Sequence, residues 1–216
     1  RGSGLKVFSA LPESREVIVS YVNPKDLYNW CRIPAEDLAG HPQRRVPFRL
    51  VRDAEEMGQL MARELAEVIE ANNVAGRATR AIIPCGPKCW YKAFTELVNR
   101  RGVSLRNLFV FHMDDWQGQL LPRNHPLNFR TFMERHFYGG IRPELAVPEA
   151  QRFWLAPSTI ERVRQAIDEA PIDITLGGWG QDGHVAYNQA RRHPFSHITL
   201  EDVANSTIRV QENNLD

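Results

Sequence analysis

Two short segments of the sequence combine the residue types that proton transfer requires. The first, His112-Met113-Asp114-Asp115-Trp116, places two carboxylates side by side directly after the apolar run 108–111. Like charges in such a pair raise the pKa of one member, which brings a general base nearer to neutrality. The segment alone leaves a solvated turn or an aspartate helix cap open as alternatives.

The second segment joins a glycine run to an Asp-Gly-His sequence, in Leu176-Gly177-Gly178-Trp179-Gly180-Gln181-Asp182-Gly183-His184. Glycines permit positive φ angles and let the backbone approach a ligand closely. Asp182 precedes His184 by two residues, so its carboxylate can orient or charge-stabilise the imidazole. The glycine spacing does not fit the dinucleotide-binding fingerprint. A functional site is therefore favoured over a plain loop.

A third segment, Ile83-Pro84-Cys85-Gly86-Pro87-Lys88, stands directly before a helical pattern. Backbone N–H groups at a helix N-terminus can hold an anion, and Lys88 can add a positive charge. A simple strand-to-helix turn explains the same pattern. His112 and His125 flank the acidic segment, and we expect structural or surface roles for both.

All three segments follow apolar runs that predict strands, namely 81–83, 108–111 and 172–176. Helical patterns alternate with them: one opens at Asp53 with a capping box to Glu56, and others cover 89–100 and about 129–137. A second capping box, Ser158 with Glu161, predicts a helix that starts there. Further strands are expected at 48–51 and 206–210. The alternation predicts an α/β fold, an open and mostly parallel sheet with helices on both faces. Such sheets bind ligands beyond the carboxyl ends of their strands.

The overall composition excludes several classes of function. The 216 residues include 27 basic and 26 acidic side chains, without the basic excess that nucleic-acid binding needs. No run approaches the roughly 18 apolar residues of a membrane span. The cysteines Cys31, Cys85 and Cys89 are too few for a disulfide scaffold and lack zinc spacing, so no metal is expected. The start of the chain lacks a secretory apolar segment, and we expect a cytoplasmic protein.

The chain divides into three parts in this interpretation. Residues 1–4, Arg-Gly-Ser-Gly, resemble a cloning scar. Residues 5–47 are interrupted by five prolines and form an N-terminal extension that wraps the domain, with a candidate strand at 17–19. Residues 48–216 form the α/β domain.

The two central segments together resemble a known family. Met113-Asp114-Asp115-Trp116, followed by Leu121-Pro122-Arg123-Asn124-His125-Pro126, resembles a segment of the glucosamine-6-phosphate deaminases. The run from Gly177 to Asn188 is similar to their second motif, and Val203-Ala204-Asn205-Ser206 fits as well. The likeness spans about 48–210. The 6-phosphogluconolactonases share the fold and the Asp-Gly-His, but the Ala-Tyr-Asn and Leu-Pro…His-Pro sequences favour the deaminase branch.

The resemblance implies a Rossmann-like fold of the deaminase/isomerase type and a reaction without metal or organic cofactor. An open-chain amino sugar phosphate is converted from aldose to ketose, and ammonia leaves. Asp114 is implied as the base between C2 and C1, Asp115 as an acid beside it, and His184, oriented by Asp182, as an aid to ring opening. The partner is a small sugar phosphate, with no nucleic acid or membrane, and a homo-oligomer is expected. The implied substrate-binding residues are Cys85, Gly86, Lys88, Gly178, Gly180, Ala186, Thr207 and Arg209.

Three positions depart from the family pattern. Gln189 stands where the family has a glutamate, and an amide cannot titrate. The loop at 84–88 is shorter than the family's phosphate loop, and Pro87 removes an N–H donor. Thr207 stands in place of the family's arginine, with Arg209 two residues on, and the chain ends before the family's last strand and helix.

These departures keep other functions open. One is a lactonase-like hydrolase in which His184 activates water, and another is a non-catalytic sugar-phosphate binder. A metal hydrolase built from Asp114, Asp115, Asp182 and His184 is a distant alternative, since these groups lack a clear ligand spacing.

Overall fold

The computed structural model describes residues 23–85, 88–115, 121–180, 184–186, 188 and 207–208. They fall into two compact units, with residues 23–48 in one and the described residues from Arg49 onward in the other. The first unit contains two short helices, α1 (Pro24–Trp30) and α2 (Ala35–Leu38). The Asn23 side chain caps α1 by accepting the Lys25 N–H at 2.9 Å. The strand expected at 17–19 lies outside the described residues, and the wrapping role of the extension stays a prediction.

Four parallel strands form the sheet of the second unit, in the order β3-β2-β1-β4. Their bounds are β1 (Thr79–Ile83), β2 (Leu108–His112), β3 (Arg152–Phe153) and β4 (Ile174–Thr175). β1 and β2 pair along their whole length, so Ile83 and His112 lie opposite each other at their carboxyl ends. The predicted parallel α/β fold is confirmed, and the apolar runs 81–83 and 108–111 end at the same edge of the sheet.

Four longer helices connect and cover these strands. They are α3 (Ala54–Val74), α4 (Tyr91–Arg101), α5 (Phe129–His136) and α6 (Ile160–Asp168). Single 3₁₀ turns lie at Tyr138–Gly140, Pro143–Leu145 and Glu149–Gln151. No helix among the described ranges combines the length and apolar content needed to cross a bilayer.

Alternate residues of the strands contribute to two separate hydrophobic clusters. Ala81 and Val110 belong to the larger cluster, which α3, α4 and α5 complete. Phe111 turns to the opposite face and packs with Val163 and Ala166 of α6. Because side chains of a strand alternate between faces, one run of apolar residues can serve both layers. Helices therefore cover both faces of the sheet, as predicted.

The start of α3 is capped by Asp53, as the sequence predicts, although the return bond from the Glu56 side chain goes to the Arg52 N–H instead of the Asp53 N–H. The Asp53 carboxylate accepts the Glu56 N–H at 2.8 Å, and the Glu56 side chain accepts the Arg52 N–H at 2.9 Å. Further along the helix, Gly58 is buried against the backbone carbonyl of Cys89. A Cβ at Gly58 would lie 2.6 Å from that carbonyl carbon, so only glycine lets α3 approach the residues that lead into α4.

Two local predictions are wrong. Residues 48–51 form no strand, and Phe48 and Leu50 are 38% and 54% exposed, because no neighbouring strand in the described chain pairs with them. The capping box at Ser158 does not form either. Instead the Thr159 hydroxyl accepts the Ala156 N–H at 2.9 Å and donates to the Trp154 carbonyl at 2.7 Å, which stabilises the turn before α6.

The strand expected at 206–210 falls mostly outside the described residues. Thr207 and Ile208, which the structure does describe, form a bend. β4 is also shorter than the apolar run 172–176 that predicts it, since only two residues pair with β1.

Candidate active site

The carboxyl end of β2 carries Asp114 over the end of β1. The Met113 N–H donates to the Ile83 carbonyl at 2.9 Å, which continues the parallel pairing one residue past both strands. Asp114 follows, and its carboxylate accepts a hydrogen bond from the Cys85 backbone N–H. The structure thus brings together Cys85, which follows β1, and Asp114, which follows β2, although almost thirty positions separate them in the sequence.

Asp114 occupies an environment suited to a general base. Its Oδ1 atom is buried and has no hydrogen-bond partner among the described residues. Burial raises the pKa of Asp114 to about 6, against the opposing effects of the Cys85 N–H and of His184. A carboxyl group with this pKa is ionised at neutral pH yet takes up a proton at small cost. The unpartnered oxygen therefore has the properties needed to accept a proton from a bound molecule.

The turn after β1 is held by a side chain of α4. The Tyr91 hydroxyl lies 2.9 Å from the Pro84 carbonyl and 2.8 Å from the Cys85 carbonyl, to which it donates. The Cys85 thiol is buried and lies 3.7 Å from the Phe129 carbonyl. Burial, followed by the negative charge of Asp114, raises the pKa of this thiol to about 12. Cys85 is therefore a protonated lining residue, since only a thiolate is an effective nucleophile.

Lys88 provides a positive charge on the same side of the turn. Its side chain is exposed, and Nζ lies 4.4 Å from the centre of the Phe132 ring. This cation–π contact holds the ammonium group without neutralising it. The charge is also close enough to Cys85 to lower the pKa of the thiol in part. The exposed charge of Lys88 can attract an anion that approaches the strand ends.

The carboxyl end of β4 lies alongside that of β1. The Leu176 N–H donates to the Ile82 carbonyl at 3.0 Å, beyond the short strand β4. A Cβ at Gly177 would lie 3.8 Å from the Met113 side chain, which is an ordinary contact distance. The glycine run therefore begins beside the residue that precedes Asp114.

His184 returns to this edge in a tight antiparallel arrangement. The Gly180 N–H donates to the His184 carbonyl at 2.8 Å, and Trp179 and Val185 form an antiparallel bridge. The imidazole lies directly on Gly180, in the space where a Cβ would stand. The interaction of His184 with Asp114 lowers the pKa of that carboxyl. The carboxylate and the imidazole, 70 positions apart in the sequence, therefore act on each other.

Ala186 adopts a backbone conformation that favours glycine. Its φ angle is +53°, which costs a residue with a Cβ roughly 1 kcal/mol. The side chain of Asn188 donates to the Val185 carbonyl at 3.0 Å and stabilises this turn. Strained backbone of this kind concentrates at ligand-binding sites.

The remaining predicted residues are only partly placed. Asp115 is half-buried next to Asp114, and its charge contributes to the raised pKa of Cys85. Gly178 is half-buried after β4, whereas Thr207 is exposed in a bend beside Ile208, which packs against the α6 cluster. Asp182, Gln189, Gly86 and Arg209 lie outside the described residues, and their roles stay predictions. Within the described ranges, no group of three or more His, Cys, Asp or Glu side chains is arranged to hold a metal.

Tyr91 is a part of the site that sequence reasoning missed. Its only signal is its position in the first turn of a helix that follows a candidate anion loop. His112 was expected to be structural, and it is 5% exposed with both ring nitrogens in hydrogen bonds.

Comparison with known proteins is consistent with this arrangement. No protein-family model matches the chain. A glucosamine-6-phosphate deaminase from Aliivibrio fischeri is 31% identical over 163 residues, which are 71% of this chain and 59% of that protein. One from Phocaeicola vulgatus is 28% identical over 162 residues, 72% of this chain and 61% of that protein. The chain therefore spans about three-fifths of the length of these relatives.

The fold also has a counterpart among solved structures. A monomeric glucosamine-6-phosphate deaminase matches with a TM-score of 0.53 and 21% identity, over 64% of this chain and 57% of that chain. The all-parallel sheet covered by helices defines an α/β protein of the Rossmann-like class. Within that class, the sequence is similar to the glucosamine-6-phosphate deaminases over about 70% of its own length.

Proposed function

We propose that this chain catalyses the aldose-to-ketose isomerisation of an amino sugar phosphate with release of ammonia. The observation that carries the proposal is the buried Asp114 carboxylate, which has one oxygen without a partner in the described chain and a pKa near 6. The reaction named by the curated relatives needs a base of this kind.

In the proposed reaction, Asp114 moves one proton along the open-chain sugar. It takes the proton from C2, which bears the protonated amino group, and returns it to C1. One proton of that ammonium group passes to the C1 oxygen, so that the C1 aldehyde becomes an alcohol and C2 becomes an iminium carbon. Water then adds at C2 and ammonia leaves, which yields the ketose. His184, held over Gly180, assists ring opening before the proton moves. The partial exclusion of water around Asp114 keeps the base weakly solvated and effective.

We assign the phosphate of the substrate to the loop that leads into α4. Lys88 supplies a cation there, and the N-terminus of α4 supplies a favourable dipole. We expect Lys88→Ala to raise the KM for a phosphorylated sugar by about tenfold, because a charge-assisted contact contributes about 1.5 kcal/mol or more. Lys92→Ala is the matched control, since Lys92 is an exposed lysine on α4 that pairs with Glu96 at 3.8 Å. An equal rise in KM for Lys88→Ala and Lys92→Ala would contradict the assignment of the phosphate to this loop.

The test of the function is a substrate panel measured in parallel for ammonia, ketose and acid production. Ammonia and fructose 6-phosphate in equal amounts from glucosamine 6-phosphate support the proposal. Hydrolysis of a sugar-phosphate lactone without ammonia release would instead favour the lactonase-like alternative. Binding detected by thermal shift with no turnover on any sugar phosphate would favour a non-catalytic binder.

A cytoplasmic location and a homo-oligomeric state, both expected at the level of sequence, belong to the same proposal. Cell fractionation tests the location. Sedimentation velocity tests the oligomer, and a single species of 24.8 kDa at all concentrations would refute it.

A further inference from the structure

His112, the last residue of β2, makes an unusually complete set of contacts for a buried histidine. Its Nδ1 lies 2.8 Å from the Phe153 carbonyl at the end of β3. Because that carbonyl can only accept, Nδ1 carries the hydrogen and donates it. Its Nε2 lies 3.1 Å from the Tyr138 hydroxyl, which donates to it. The ring also stacks on Trp154, with centroids 3.6 Å apart and an interplanar angle of 9°.

The charges around His112 keep its ring neutral. Burial, together with the positive charges of Arg130 and Arg152, lowers its pKa to about 3. The Phe153 carbonyl and the negative charge of Glu134 act in the opposite direction but do not compensate. A neutral imidazole with both nitrogens engaged does not carry protons in a reaction near neutral pH. The role of His112 therefore lies in the parts of the fold that its hydrogen bonds connect.

His112 lies at the carboxyl end of β2, two residues before Asp114. Between them, the Met113 N–H is bonded to the Ile83 carbonyl. One oxygen of Asp114 lacks a donor in the described chain, and the carboxylate accepts the Cys85 N–H, which lowers its pKa. The orientation of the Asp114 carboxylate therefore depends on the position of the backbone at the carboxyl end of β2.

His112 ties that end to two other parts of the fold, β3 and the 3₁₀ turn that begins at Tyr138. We propose that His112 is a positioning residue that clamps the carboxyl end of β2 and thereby sets the burial and direction of the Asp114 carboxylate. The catalytic part of this inference rests on the proposed function, whereas the positioning of Asp114 does not.

The experiment measures the pKa of Asp114 directly, by titrating its side-chain carboxyl carbon in labelled protein by NMR. Asp114→Asn assigns the resonance. The variants are His112→Ala, which removes the clamp, and Tyr138→Phe, which removes only the hydroxyl bonded to Nε2. Leu105→Ala is the control, because Leu105 is fully buried in the larger cluster but precedes β2 at its opposite end.

If His112 positions Asp114, water reaches the carboxylate in His112→Ala, and its pKa falls by at least one unit from about 6 toward the ordinary 3.8. Tyr138→Phe shifts it in the same direction by less, and Leu105→Ala leaves it unchanged despite a loss of stability. Where the enzyme turns over, kcat in His112→Ala falls by up to about 100-fold at constant KM, since the base is misplaced.

An Asp114 pKa equal to that of the wild type in both clamp variants overturns the inference. If His112→Ala does not fold, Tyr138→Phe decides by itself, and an unchanged pKa in that variant overturns the inference as well. Absence of turnover by the wild type on every sugar phosphate would refute the proposed function, while the pKa measurement would still decide the role of His112.

Discussion

Replacing Asp114 by asparagine should change how the stability of the protein depends on pH. The carboxyl group has a pKa of about 6 in the folded protein, because it is buried, against 3.8 in the unfolded chain. Between these two values the folded state binds more protons than the unfolded state. Stability contributed by this group is therefore lost as the pH rises through that window, and the full penalty is present above pH 6.

The magnitude follows from the difference between the two pKa values. Each unit corresponds to 1.36 kcal/mol, so the ionised carboxylate destabilises the fold by about 3 kcal/mol at pH 7 and above. Asparagine has no ionised form. Its amide introduces its own constant cost, because one of its polar atoms is left without a partner, but that cost does not depend on pH.

The assay is urea unfolding of the wild type and Asp114→Asn at intervals from pH 4 to pH 8. The free energy of unfolding of the variant minus that of the wild type should rise by about 2.4 kcal/mol over this range, because a small part of the penalty is already present at pH 4. Asp168→Asn is the control, because Asp168 is exposed at the end of α6, and its curve should run parallel to the wild type. Parallel curves for Asp114→Asn and wild type would show that Asp114 is not buried as an ionised group, and the assignment of the base would lose its physical basis.

Three further outcomes are expected. The kcat/KM should fall tenfold per pH unit below about pH 6, since Asp114 must be ionised to accept a proton, and a flat profile between pH 4.5 and 7 would contradict this. Gly58→Ala should lower the free energy of unfolding by about 1–3 kcal/mol, because the methyl group meets the Cys89 carbonyl, although helix propensity alone favours alanine. Gly180→Ala should displace the His184 ring and lower kcat with little effect on the midpoint of thermal unfolding, whereas unchanged kcat would mean that the ring position is unimportant.

The sequence was most informative where local pattern determines structure. The apolar runs 81–83, which Pro84 ends, and 108–111 predicted β1 and β2, and Asp53 with Glu56 predicted the start of α3. The same reasoning failed at 48–51, because whether an apolar run forms a strand depends on a partner that the run itself does not reveal. β3 was missed for a similar reason, since two residues carry no periodicity.

For the candidate site, the rule that ligands bind beyond the carboxyl ends of parallel strands predicted Asp114 and His184. In parallel sheets the carboxyl ends of neighbouring strands meet at one edge, so polar residues after apolar runs converge. The supporting contacts were not predictable. Tyr91 reaches the turn after β1 across the start of α4, and His112 reaches Phe153 across 41 positions. Such contacts depend on the packing of the whole domain.

The role of Asp114 is tested most directly by the turnover of glucosamine 6-phosphate in Asp114→Asn, measured as ammonia and ketose release beside the wild type. Loss of a positioned base should lower kcat by about 10²–10⁴-fold, while the substrate still raises the melting temperature of the variant. Turnover by Asp114→Asn at the rate of the wild type would contradict the assignment of Asp114 as the base.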